Sequence, residues 1–158
     1  MTERLVWYFA YGSNMDPARL AEDRLKPRGV ALAERIGGRL EGWRLVFNKR
    51  ARTPVGSGAG NIVPAGGAAV YGTLNAMPAE GIDVLDVWEG VAGGHYERRL
   101  LPVLRADTGA MVEAVTYVAL LTGDDLRPTR AYLGHLLAGR DLLPPDYWEW
   151  LKATPTVD

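Results

Sequence analysis

Leu5-Val6-Trp7-Tyr8-Phe9-Ala10-Tyr11-Gly12-Ser13-Asn14 opens with apolar, mostly β-favouring residues and then stops in a turn. A short apolar run bounded by turn residues reads as a fully buried first strand, Leu5–Ala10, ending at Tyr11–Asn14. Asn14 or Asp16 then offers an N-cap, Pro17 suits a first helical turn, and Ala18–Arg24 can form a short helix. A strand that stops in Gly-Ser-Asn just ahead of a helix leaves several backbone N–H groups pointing one way. Such a nest can hold a carboxylate or a developing oxyanion. The same residues also make an ordinary tight turn, because Gly and Asn favour turns in any protein.

Further along, Val30–Ile36 and Trp43–Asn48 read as strands separated by Gly37-Gly38 and Gly42. From Arg50 to Gly67 the chain is rich in Gly, Pro and small residues. This stretch reads as a mobile surface loop, with a lid over a site as the other reading. Strand character resumes at Ala68–Leu74. Pro78 opens a helix with Ile82, Leu85 and Trp88 at three-residue spacing, and Gly90 can close it. Tyr96–Arg105 and Met111–Leu121 flank Asp107-Thr108-Gly109, which signals a hairpin. A helix after Pro128 places Tyr132, Leu133, Leu136 and Leu137 on one side. Pro144-Pro145 begins a last short helix with Tyr147, Trp148, Trp150 and Leu151. Most connections are too short for crossover helices, so the pattern predicts an α+β chain with an antiparallel or mixed sheet, as a single domain over residues 1–158.

Composition narrows the function. With 158 residues, 47% apolar and 23% charged, the chain has ordinary globular proportions and room for one core. A net charge of -1 argues against a dedicated nucleic-acid surface. The absence of cysteine excludes disulfides, a thiolate metal site and a thiol nucleophile, and is compatible with a cytoplasmic location. Met1 to Ala10 lacks the pattern of a secretory leader, and nowhere do about 18 apolar residues run together as a membrane span requires.

Glu89 is the second chemical candidate. At the C-terminal end of its helix it meets the negative pole of the backbone, which disfavours a carboxylate. That field, helped by Trp88 and the apolar loop beyond, would raise its pKa and make it a better base; the plain reading is an exposed surface Glu. Asp83, Asp86 and Glu89 share a spacing that suggests a solvated acidic face, since no His joins them at metal-ligand spacing. His95 and His135 form no metal motif. Ser13 lacks the strand-elbow surroundings of a hydrolase nucleophile. The seven tyrosines read as amphipathic core on type alone.

Taken together, two motifs resemble the γ-glutamylcyclotransferase superfamily. Tyr8-Phe9-Ala10-Tyr11-Gly12-Ser13-Asn14-Met15 is similar to the family's opening strand and Tyr-Gly-Ser-Asn substrate loop. Trp88-Glu89-Gly90-Val91-Ala92-Gly93-Gly94-His95-Tyr96 is similar to its catalytic Glu, followed by Gly and by a Tyr seven residues on. Gly42-Trp43-Arg44-Leu45, Gly60-Asn61-Ile62-Val63-Pro64, Val70-Tyr71-Gly72-Thr73-Leu74 and Pro128 to Tyr132 resemble further family segments. Asn14 separates the chain from the glutathione-specific branch, which carries Leu there.

The resemblance implies a small, closed or nearly closed, mixed β-barrel with helices packed around it. It implies a cofactor-free enzyme that converts a γ-glutamyl amide to 5-oxoproline and a free amine or amino acid. Glu89 would be the catalytic acid/base; Tyr11, Gly12, Ser13, Asn14, Tyr96 and Tyr132 would bind the small-molecule γ-glutamyl substrate. No metal, nucleic acid or membrane is implied, and a homodimer is open. A non-catalytic binding protein with the same pocket is the alternative, against which the retained carboxylate of Glu89 argues.

Overall fold

The computed structural model describes residues 4–158. Its first strand, β1 (Leu5–Ala10), coincides with the apolar run at the start of the chain. The reading of Met1 to Ala10 as no leader falls partly on residues 1–3, outside the described residues. β1 leads through a 3-10 turn at Ser13–Met15 into a helix over Ala18–Leu25. That helix is of the wide π type, and its entry is capped by Asp16, whose Oδ1 accepts from the Ala18 N–H at 3.0 Å.

Two long strands follow. β2 (Glu34–Arg50) and β3 (Gly58–Pro78) pair antiparallel along most of their length, with irregularities between Glu41 and Trp43 and between Val46 and Lys49. These strands correct the sequence reading twice. Val30–Ile36 and Trp43–Asn48 are not separate strands, because β2 runs unbroken through Gly37-Gly38. A Cβ on Gly38 would stand 3.0–3.2 Å from Leu74, Val103 and Phe9, so this glycine makes room for the interior rather than ending a strand. Nor is Arg50–Gly67 a loop or a lid. Gly58 onward is paired strand, and only the short connection from Ala51 to Ser57 turns the corner.

α1 (Ala79–Glu89) buries Ile82 and Leu85, β4 (Tyr96–Arg105) and β5 (Met111–Ala119) form the expected hairpin, and α2 (Arg130–Leu137) and α3 (Pro145–Lys152) close the chain. The strands form a closed barrel in the order β1-β3-β2-β4-β5. All neighbours are antiparallel except β1 and β5, which run parallel through Trp7–Ala114 and Tyr8–Val115. The architecture is therefore the α+β mixed barrel that the resemblance implies. Phe9, Leu40, Ile62, Val70, Leu74 and Val103 are buried in its core. Closure removes the free sheet edges and leaves the end of β1 as a fixed platform for the turn that follows. Among the described residues, no helix is long and apolar enough to cross a membrane.

Candidate active site

β1 delivers the turn and α1 delivers the carboxyl group. Met15, buried beneath the turn, anchors it, and the Met15 N–H closes on the Gly12 carbonyl at 3.0 Å. The first N–H groups of such a turn find no partner within it. Opposite, Gly90 ends α1 in the left-handed conformation at φ 67°. Its N–H bonds to Val87 O and that of Val91 to Asp86 O, the paired bonds of a Schellman closure. Gly suits that φ, and its closure fixes Glu89 as the last helical residue, with its carboxyl beside the helix's negative end.

The two meet in one cavity. It is lined by Tyr8, Tyr11, Gly12, Ser13, Asn14, Gly60, Glu89, Tyr96, Thr116, Tyr117 and Tyr132, around ≈ 330 Å³ of empty space partly open to solvent. All seven residues singled out from the sequence are in that wall. Asn14 is buried; its Nδ2 donates to Tyr8 Oη at 3.1 Å and reaches Glu89 Oε1 at 3.4 Å, while its Oδ1 is buried without a partner.

The tyrosines are tied to the barrel's backbone. Tyr11 Oη donates to the Tyr117 carbonyl at 2.6 Å. Tyr96 Oη donates to Gly60 O at 2.6 Å, and the Gly60 N–H donates to Tyr132 Oη at 2.8 Å. Both backbone polar groups of Gly60 thus tie two pocket tyrosines to β3, and a Cβ there would press on Tyr132 Oη at 3.1 Å. Thr116 Oγ1 donates to Phe9 O, and Tyr117 Oη to Asp86 Oδ1, linking β5 to β1 and α1.

Burial pushes the Glu89 carboxyl up to about 7, against the opposing pull of Arg24, Lys49, Arg19 and Arg52. The direction matches the sequence expectation, but the cause differs. Trp88 is 48% exposed and lies under the Arg24 guanidinium at 3.9 Å, so it does not enclose the carboxyl. The cage of tyrosines does. Burial likewise raises the hydroxyl of Tyr132 to about 12 and pushes those of Tyr8, Tyr11 and Tyr96 well up, so the wall stays neutral.

Other candidates are placed elsewhere. Asp83 and Asp86 turn away from the cavity to clamp Arg98. His135 engages Asp16 at 2.8 Å and Arg19 at 3.2 Å, and His95 engages Lys49 at 2.9 Å, so both rings serve partners other than Ser13. Among the described residues, no group of three His, Asp or Glu could hold a metal ion. Tyr71 and Tyr147 pack edge to face, with ring centres 5.1 Å apart, outside the pocket wall. Sequence reasoning missed Tyr8, Gly60, Thr116 and Tyr117 as lining residues. Tyr8 and Gly60 lie inside the quoted motifs and were legible as neighbours of the site; nothing local marks Thr116 or Tyr117.

The AIG2-like family model matches residues 69–151, and the chain belongs to that family, within the γ-glutamylcyclotransferase-like superfamily. A solved structure titled "Gamma-glutamyl cyclotransferase" is 26% identical and superposes with a TM-score of 0.85, covering 98% of this chain and 90% of that one. An uncharacterised protein from Homo sapiens is 28% identical with a TM-score of 0.83, over 99% of this chain and 91% of that one. YkqA from Bacillus subtilis, 24% identical, shares the fold with a TM-score of 0.80 over 98% of this chain and 56% of its own. No curated protein matches in sequence.

Proposed function

We propose that the protein cyclises a γ-glutamyl amide to 5-oxoproline and releases an amine or amino acid, with Glu89 as general base and then general acid. The observation that carries this reading is the Glu89 carboxyl set in a cage of tyrosines and facing the Gly12–Asn14 turn, where burial pushes its pKa up to about 7. Family membership and the likeness to a structure titled as a cyclotransferase support it.

The reaction keeps nucleophile and electrophile in one molecule. The substrate's α-amino group attacks its own γ-carbonyl carbon, a C–N bond forms, and the C–N bond to the leaving amine breaks. A well-oriented intramolecular attack of this kind can save on the order of 7–11 kcal/mol. The α-amino group arrives as ammonium and must lose a proton before it attacks. Glu89 ionised takes a proton from the nitrogen, and Glu89 protonated returns one to the departing nitrogen. A pKa close to working pH suits both roles. The backbone N–H groups of the Gly12–Asn14 turn would hold the substrate's α-carboxylate or steady the oxyanion. Tyr11, Tyr96 and Tyr132 would wall the γ-glutamyl chain. The step balances without an external co-reactant.

Glu89→Gln tests the assignment. Formation of 5-oxoproline from a panel of γ-glutamyl amides should fall by about 10²–10⁴ in kcat while the variant remains folded. Turnover near the parent level on the best substrate would remove Glu89 from the mechanism.

A further inference from the structure

Four cations outside the cavity wall act on the Glu89 carboxyl. Arg24 stacks on Trp88, next to Glu89, at 3.9 Å. Arg52 packs its guanidinium against Gly90, on the other side of Glu89. Lys49 is buried, bonds to His95 Nδ1 at 2.9 Å and stands 5.5 Å from the Tyr96 ring centre. Arg19 bonds to His135 at 3.2 Å, one helical turn beyond Tyr132 on α2, and its Nε is buried without a partner. The π-helix explains how Arg19 and Arg24 share this place. Its i→i+5 bonds widen the turn and bring residues five apart toward one face, which an α-helix would separate.

None of these four side chains forms an ion pair with an Asp or Glu among the described residues, although other arginines of the chain do so repeatedly. The one carboxylate they share is Glu89, on which all four act. Glu89 answers one of the four charges at most; Asp23 acts on Arg24 and Asp16 bonds the His135 beside Arg19, but neither forms an ion pair with those arginines. A γ-glutamyl group brings an ammonium and a carboxylate that cancel, so negative charge to pair with these cations can be brought only by the other half of the substrate. A neutral or cationic amine would leave them uncompensated, and a lone carboxylate would answer them only in part.

We propose that Arg19, Arg24, Lys49 and Arg52 select γ-glutamyl amides whose released half carries two negative charges, the chemistry of a γ-glutamyl bond to glutamate or aspartate. This rests on the cyclotransferase reading and adds the substrate class. The two carboxylates of the released half sit among the cations outside the tyrosine cage, while the γ-glutamyl half occupies the cage. Arg52, the most exposed of the four, meets the substrate first.

The test measures 5-oxoproline formation from γ-glutamyl-glutamate, γ-glutamyl-alanine and γ-glutamyl-ethylamide, with the parent protein and with Arg24→Gln and Arg52→Gln. A charge-assisted contact is worth about tenfold or more in kcat/KM. The expected order is γ-glutamyl-glutamate, then γ-glutamyl-alanine, then the ethylamide. In each variant the ratio of the first to the last should drop about tenfold, through KM. Raising the salt concentration should raise KM for the dianionic substrate most. Equal or better turnover of the ethylamide overturns the selection while leaving the cyclotransferase reading in place, and so does an unchanged ratio in both variants. Absence of 5-oxoproline from all three substrates overturns the cyclotransferase reading itself, and this inference falls with it.

Discussion

Asn14 Nδ2 stands 3.4 Å from Glu89 Oε1 across the cavity, so the turn after β1 and the end of α1 are joined by their two functional side chains. The contact favours the ionised carboxylate and opposes the burial that raises its pKa. Asn14→Asp replaces the donor by a second carboxylate. Like charges at this distance resist ionisation together, so the acid limb of the kcat/KM profile should move to higher pH in the variant. An unmoved limb would mean that the two side chains do not communicate.

Glu89 also links activity to pH in the parent protein. A base with a pKa of about 7 is protonated in acid, so kcat/KM should fall tenfold per unit below about pH 7 and level off above it. The stability dependence has the opposite sense. Below the ordinary carboxyl value of 4.5 both states hold the proton. Between 4.5 and about 7 the unfolded chain has released it and the folded chain has not, so the native state weakens as pH rises. Glu89→Gln lacks that loss. Urea melts should show the variant gaining roughly 1–3 kcal/mol on the parent between pH 4.5 and pH 8. A constant difference across that range would place the carboxyl in water.

The parts of this site that the sequence made legible are those with local signatures. The strand-to-turn change at Tyr11–Asn14 and the Gly90 stop after Glu89 each leave a mark within a few residues, and both are found where expected. The resemblance then supplied Tyr96 and Tyr132, whose partner Gly60 lies far away in the chain. β2 and β3 were misread because their glycines answer to tertiary packing. The Gly38 position is filled by Phe9, Leu74 and Val103, an arrangement that strand propensity does not encode. The cations near Glu89 were missed because nothing local separates Arg24 or Lys49 from the other cations of the chain. Only barrel closure and the π-helix bring them to Glu89.

Tyr132→Phe cuts the tie between α2 and β3, together with the hydroxyl's contact to the Ser13 backbone. The hydroxyl accepts from the buried Gly60 N–H, and its removal leaves that donor unpaired. The expected cost is about 1–3 kcal/mol in denaturant unfolding, with a raised KM as the cavity wall loosens. A loss of kcat without loss of stability would instead indicate that the hydroxyl touches the reacting atoms.

Two glycine substitutions separate barrel geometry from backbone entropy. A Cβ on Gly72 would collide with the Ala10 carbonyl, at the point where β3 passes the end of β1. Relief requires the strands to part, and β1 is what holds the Gly12–Asn14 turn in place. Gly72→Ala should therefore cost on the order of 3 kcal/mol or more and take activity down with it. Gly134, inside α2, has open space where a Cβ would go. Gly134→Ala should stabilise the chain by about 0.5–1 kcal/mol, through helix propensity and a less free unfolded state. Thermal melts of the two variants should move in opposite directions. If Gly72→Ala melted with the parent, the close approach of β3 to the end of β1 would not be a constraint on the barrel.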